Sequence, residues 1–125
     1  MKLQSDPHYG ANTITGYGDG YVEINKTPYA HAVVLSSDGA ITEWSVKSFD
    51  DLEAHHFSQL VDLKPELILI GTGKRQRFPK PELLKALISA KIGFEIMDSQ
   101  AACRTYNILV GEGRQVLLAL IVETD

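Results

Sequence analysis

The stretch LILIGTGKRQRF, Leu67–Phe78, runs from four aliphatic residues through Gly-Thr-Gly into a polar segment with three basic side chains. Its apolar part does not alternate with polar residues. Both faces are therefore expected to be covered, as in a central strand of a largely parallel sheet. Gly71, Thr72 and Gly73 then stand at the carboxyl end of that strand, where ligands of open α/β sheets bind. Three readings of the loop stay open. The glycines supply special backbone angles beside a solvated basic rim, or the rim docks a protein or anion, or the loop cradles a phosphate. In the last case backbone N–H groups approach the anion, and Lys74, Arg75 and Arg77 add charge-assisted bonds.

Known phosphate loops do not fit. A Walker A loop needs glycine where Ile68 stands and Ser or Thr where Arg75 stands. A Rossmann loop needs glycine at Gln76. The next helix, starting near Pro81, comes too late to aim its N-terminal dipole at the glycines.

Outward from this strand, the N-terminal half reads as β and the C-terminal half as alternating β and α. Ile14 and the run Tyr21–Ile24 flank a Gly-Asp-Gly turn, a hairpin signal. YAHAVVLSS and AITEWSV, joined by Asp38-Gly39, form a second hairpin with Ile41, Trp44 and Val46 as core candidates. A helix is predicted from an N-cap at Ser48 to Pro65, burying Leu52, Phe57, Leu60 and Val61. Pro81 suits the first position of a second helix, with Leu83, Leu84, Leu87 and Ile88 as its stripe and Gly93 at its end. FEIMD is the next strand, Asp98 caps a third helix, and QVLLALIVE closes the domain. The pattern predicts a single α/β domain over residues 1–125. Its architecture is three-layered, with a central mixed β-sheet, N-terminal β-hairpins and about three helices.

The totals agree with one globular domain. The chain has 125 residues, 44% hydrophobic and 22% charged, with a net charge of −4. That charge argues against general nucleic-acid binding. A lone cysteine, Cys103, excludes an intramolecular disulfide and fits a reducing compartment. It reads as a buried structural thiol, although neighbouring Arg104 would favour thiolate. MKLQSDPHYGAN has no apolar core and carries Asp6, so neither a signal nor a transit peptide is expected. No run has the length of a membrane span, and the expected location is cytoplasmic. His55 and His56 point about 100° apart on a helix, unlike metal-binding pairs at i, i+4. No metal site and no cofactor are expected.

Glu95 lies within an apolar strand. It either pairs with Arg104 or Arg114, or serves as an acid of raised pKa in a cleft. Thr105, Tyr106 and Asn107 interrupt an apolar helix face and either bond locally or line a pocket. In a third reading Glu95, Asn107 and Arg114 form a buried network that only specifies the fold.

The sequence also resembles a known family. The residues that carry the resemblance are Gly71-Thr72-Gly73, then Gly93, Glu95 and Asp98. Ala102, Thr105, Tyr106 and Asn107 follow, then Glu112-Gly113-Arg114 and Ala119-Leu120. The pattern resembles the small α/β domain of many bacterial proteins, of an adipogenesis-associated animal protein with an Mth-type domain, and of a mitochondrial complex I assembly factor. This implies a three-layer fold, supplies no catalytic set, and points to work through protein partners in a bacterial, cytosolic setting. The expected function is a non-enzymatic binding or assembly-assisting domain docking through Gly71–Phe78, with charge reversal at Lys74 and Arg77 abolishing capture. The alternative is a small-molecule or anion site, of a binding protein or of an enzyme, that gathers the Gly-Thr-Gly loop, Glu95, Tyr106 and Asn107 at the strand ends.

Overall fold

The computed structural model describes residues 11–123. The leader reading rests on residues 1–12, of which 1–10 lie outside the described part. Among the described residues there are two sheets and three α-helices. β1 (Ile14–Gly18), β2 (Tyr21–Ile24) and β3 (Thr27–Tyr29) form a three-stranded antiparallel sheet. β4 (Val33–Ser36), β5 (Thr42–Glu43), β6 (Leu67–Gly71), β7 (Gly93–Met97) and β8 (Leu117–Leu120) form a mixed sheet in the order β5-β4-β8-β6-β7. β6 pairs in parallel with both β7 and β8, while β4 runs antiparallel to β8 and to β5. The expected central strand is thus an interior one, flanked by β8 and β7. The expected mixed sheet is present, with antiparallel pairing at the β4 and β5 side instead of a largely parallel arrangement.

Alternation along the buried strands makes the three layers. Ile68, Ile70, Leu117, Ala119 and Ile121 face one side, where they meet Phe57 and Leu60 of α1 (Ala54–Val61) and Leu87 of α2 (Lys85–Ser89). Leu69, Leu118 and Leu120 face the other, where Ala102, Tyr106 and Val110 of α3 (Ser99–Gly111) pack with Ile14, Val22 and Ile24 of the small sheet. Successive side chains of a strand point to opposite faces, so an all-apolar strand feeds two cores at once.

Several boundaries differ from the sequence reading, each for a local reason. Ser48 does not cap α1. Its hydroxyl donates to Asp51 Oδ2 at 3.2 Å over a short 3₁₀ turn, Phe49–Asp51. Leu52 then turns extended (ψ 134°) and becomes buried. The helix restarts behind Glu53, whose backbone N–H donates to His56 Nδ1 at 2.9 Å in a capping box. That bond leaves Nε2 to donate to the Ser45 carbonyl at 3.0 Å, so His56 is spent on structure. Tyr29 belongs to β3 rather than to the second hairpin. Pro81 opens a 3₁₀ turn, Pro81–Leu84, ahead of α2. Ile88, expected in the buried stripe, is 58% exposed, because α2 is short and buries only Leu87. Gly93 starts β7 instead of ending α2, and Lys91 makes the preceding turn at φ 57°.

Candidate functional site: the Gly-Thr-Gly loop and its rim

β6 and β8 are parallel neighbours, so the segments beyond their carboxyl ends lie side by side. The Ile121 N–H donates to the Gly71 carbonyl at 2.9 Å, and Glu123 comes to rest against the loop. The start of α3 closes it from the other side. The Ser99 N–H donates to the Gly73 carbonyl at 2.8 Å, and the Gly73 N–H donates back to Ser99 Oγ at 2.8 Å. Ser99 Oγ donates in turn to the Ile121 carbonyl at 2.6 Å. Gly73 adopts φ +100°, a region costly for any residue with a Cβ, and a Cβ there would collide with the Glu123 carboxylate.

Every loop amide whose bond is described is already used within the chain. The Thr72 N–H donates to the Met97 carbonyl at 2.9 Å, the Lys74 N–H to Glu123 Oε1 at 3.0 Å, and the Arg77 N–H to Thr72 Oγ1 at 3.1 Å. The buried Thr72 hydroxyl donates to the Arg75 carbonyl at 2.7 Å, with the Met97 carbonyl a further acceptor at 3.2 Å. The loop does cradle an anion, and that anion is the chain's own Glu123. One carboxylate oxygen takes the Lys74 amide, and the other takes the Arg77 guanidinium at 2.7 Å. Burial acts to raise the Glu123 pKa. These two hydrogen bonds and the charges of Arg77 and Arg75 outweigh it and hold the carboxyl below its usual range.

A depressed folded-state pKa contributes stability above the unfolded value, about 4.3. That contribution is lost as the pH falls through the folded value. Glu123→Gln is therefore expected to narrow the difference in urea midpoint between pH 6 and pH 3. An unchanged difference would show that the carboxylate adds nothing.

Arg77 is thus not a rim residue. Its guanidinium also donates to the Thr72 carbonyl at 2.7 Å and lies 4.7 Å from the centre of the Phe49 ring. Lys74 pairs with Asp19 at 2.6 Å across to the β1–β2 turn. The outward rim consists of Lys74, Arg75, Gln76 and Phe78, the last 70% exposed.

The second group of expected site residues disperses. Glu95 is exposed on β7, and among the described residues it pairs with neither Arg104 nor Arg114, because β7 is an edge strand rather than a covered one. Arg114 is exposed as well, so no buried Glu95–Asn107–Arg114 network forms. Asp98 caps α3 as expected, its Oδ1 accepting from the Ala101 N–H at 2.9 Å. Asn107 clips α3 to β1: Oδ1 accepts the Ile14 N–H at 2.9 Å and Nδ2 donates to the Ile14 carbonyl at 2.8 Å. The fully buried Tyr106 donates its hydroxyl to the Asn12 carbonyl at 2.9 Å, while Thr105 is half-buried beside it. Two open cavities, of about 460 and 400 Å³, are lined by none of Gly71–Phe78, Glu95 or Thr105–Asn107. The larger sits at the opposite end of the sheet, between the β4–β5 loop and the Leu63–Glu66 turn.

Sequence reading missed Ser99 and Glu123. Ser99 follows a helix cap and Glu123 follows a buried strand. Both positions become informative only once β8 is placed beside β6.

Cys103 is buried, and burial pushes its thiol up to about 12 despite Arg104. A thiol-specific disulfide reagent is expected to leave it untouched in native protein and to titrate one thiol in denaturant. Rapid native labelling would contradict the buried, protonated state.

Among the described residues no helix is long and apolar enough to cross a membrane, and no group of acidic, His and Cys side chains could hold a metal ion. Residues 14–121 match the family described as "Protein of unknown function (DUF498/DUF598)". The chain is 32% identical over 124 residues to a "13 kDa major membrane protein" of Francisella tularensis, covering 97% of this chain and 99% of that one. It is 36% identical over 84 residues to "NADH dehydrogenase [ubiquinone] 1 alpha subcomplex assembly factor 3" of Bos taurus, covering 66% of this chain and 46% of the relative. The chain therefore spans about half the length of that relative. A Bordetella pertussis protein solved in solution, a Mth938-like domain, matches with TM-score 0.84 and 37% identity over 100% of this chain and 94% of the other.

Proposed function

The chain belongs to the DUF498/DUF598 family, and we propose that it is a non-enzymatic docking domain that assists assembly through a protein partner. The observation that carries this reading is the division of labour in one loop. Gly71, Thr72, Gly73 and Arg77 are consumed in holding the loop rigid, and they present Arg75 and Phe78 outward. A large exposed aromatic beside an arginine on a fixed loop is the composition of an interface anchor. Rigidity lowers the ordering cost of docking. The assembly-factor name of a relative sharing 36% identity supports the same class of function. The lone buried thiol suits a reducing, cytoplasmic setting.

Charge reversal at Arg77 would confound any binding test, because it breaks the Glu123 pair. The informative variant is Arg75→Ala/Phe78→Ala, which truncates two exposed side chains, introduces no negative charge beside Glu123 and breaks none of the loop's described hydrogen bonds. Loss of two anchors is expected to weaken partner retention by about 30-fold or more, with an unchanged circular dichroism spectrum and melting temperature. A partner retained equally by wild type and variant would remove the rim from the interface.

A further inference from the structure

The geometry points to the outer edge of β7 as a strand-addition site for an extended segment of another protein that places a basic residue opposite Glu95. In a parallel ladder, alternate residues turn both backbone groups towards the same neighbour. Met97 is registered with Gly71, and its carbonyl accepts from the Thr72 N–H, so Met97 faces β6. By the same alternation Gly93 and Glu95 face β6, while Phe94 and Ile96 direct their N–H and carbonyl groups to the outer edge. The side chain of Gln76 confirms this direction by donating to the Ile96 carbonyl at 2.9 Å. Among the described residues nothing pairs with the Phe94 N–H, the Phe94 carbonyl or the Ile96 N–H, and β7 has a neighbour on one side only.

Exposed edges are normally blunted by a proline, a bulge or several charges. Over Gly93–Met97, paired in unbroken register with β6, Glu95 is the single charge. This charge selects the occupant. Antiparallel pairing of two copies about Glu95 would set two carboxylates opposite each other, which is unfavourable. A strand with Lys or Arg at that position gains the complementary pair. Phe94 and Ile96, half-buried on the other face, offer apolar cover to the strand's flanking residues. Gln76 belongs to the rim loop, so edge and rim are contiguous.

The inference rests on the reading of the chain as a protein-docking module, but not on Arg75 and Phe78. The test uses isotope-labelled protein and the peptide Thr-Val-Lys-Val-Thr-Tyr. Comparison peptides carry Glu in place of Lys or N-methyl groups on the edge-facing amides. In the free protein the Phe94 and Ile96 amides should exchange fast, and those of Glu95 and Met97 slowly. The Lys peptide should slow Phe94 and Ile96 and bind about three- to five-fold tighter than the Glu peptide. The N-methylated copy should not bind, and Glu95→Lys should reverse the charge preference. Absence of any effect at Phe94 and Ile96, or a preference indifferent to Glu95→Lys, overturns the proposal. The rim is judged by partner capture and the edge by peptide titration, so either can fail alone.

Discussion

Gly71→Val is expected to destabilise the domain by about 2–4 kcal/mol, at the upper end of what overpacking costs. Gly71 ends the central strand, with β7 on one side and β8 on the other. A Cβ built there would lie 2.6 Å from Leu120 Cδ1, 2.8 Å from Ser99 Oγ and 3.0 Å from the Ser99 Cα. Leu120 is fully buried and has no space to yield, and the Ser99 Cα belongs to the backbone that starts α3. Relief of the clash must move α3 away from β6. That would stretch the reciprocal bonds between Ser99 and Gly73 and so loosen the loop that presents Arg75 and Phe78. Urea unfolding measures the loss. Gly71→Ala should cost less, about 1–3 kcal/mol. A valine variant as stable as wild type would mean that α3 can shift without cost.

Asn107→Leu is expected to cost about 2–4 kcal/mol for a different reason. The amide of Asn107 gives Ile14 both a donor and an acceptor, as a neighbouring strand would. Leucine keeps the approximate volume but strands the Ile14 N–H and carbonyl beside a buried side chain. Each unsatisfied backbone group costs about 1–3 kcal/mol. The damage should be local at first. Amide exchange is expected to accelerate at Ile14 and across β1 and β2, while Leu69 and Leu118 of the large sheet keep their protection. Asn107→Asp retains the acceptor and loses the donor, so it should fall between wild type and leucine. Unaltered exchange at Ile14 would show that β1 is held by other contacts.

Patterns of one dimension carried most of the fold. The unbroken aliphatic run Leu67–Ile70 forecast a strand covered on both sides, and the Gly-Asp-Gly and Asp-Gly turns forecast hairpins whose strands pair as read. Asp98 before an apolar helix face was enough to place α3. The boundaries that shifted lie where local signals compete. Ser48, Asp50 and Asp51 all suit a helix start, yet the buried Leu52 breaks the turn and hands the cap to Glu53.

The candidate site was legible in part. Gly71–Gly73 was located at a strand end, and Lys74, Arg75 and Phe78 were placed on its rim by simple proximity in sequence. Arg77 sits among the same residues and has another fate, because its partner Glu123 is 46 positions away and reaches it only through β8 pairing beside β6. Glu95 looked buried because its neighbours are apolar, and it is exposed because β7 is an edge. Period, turn chemistry and capping are written locally, so the sequence by itself determined the elements, their two-faced burial and the family pattern. Strand order is decided by long-range packing, and only the tertiary structure could determine which basic residue is spent on Glu123, which strand edge stays open, and which side chains remain for a partner.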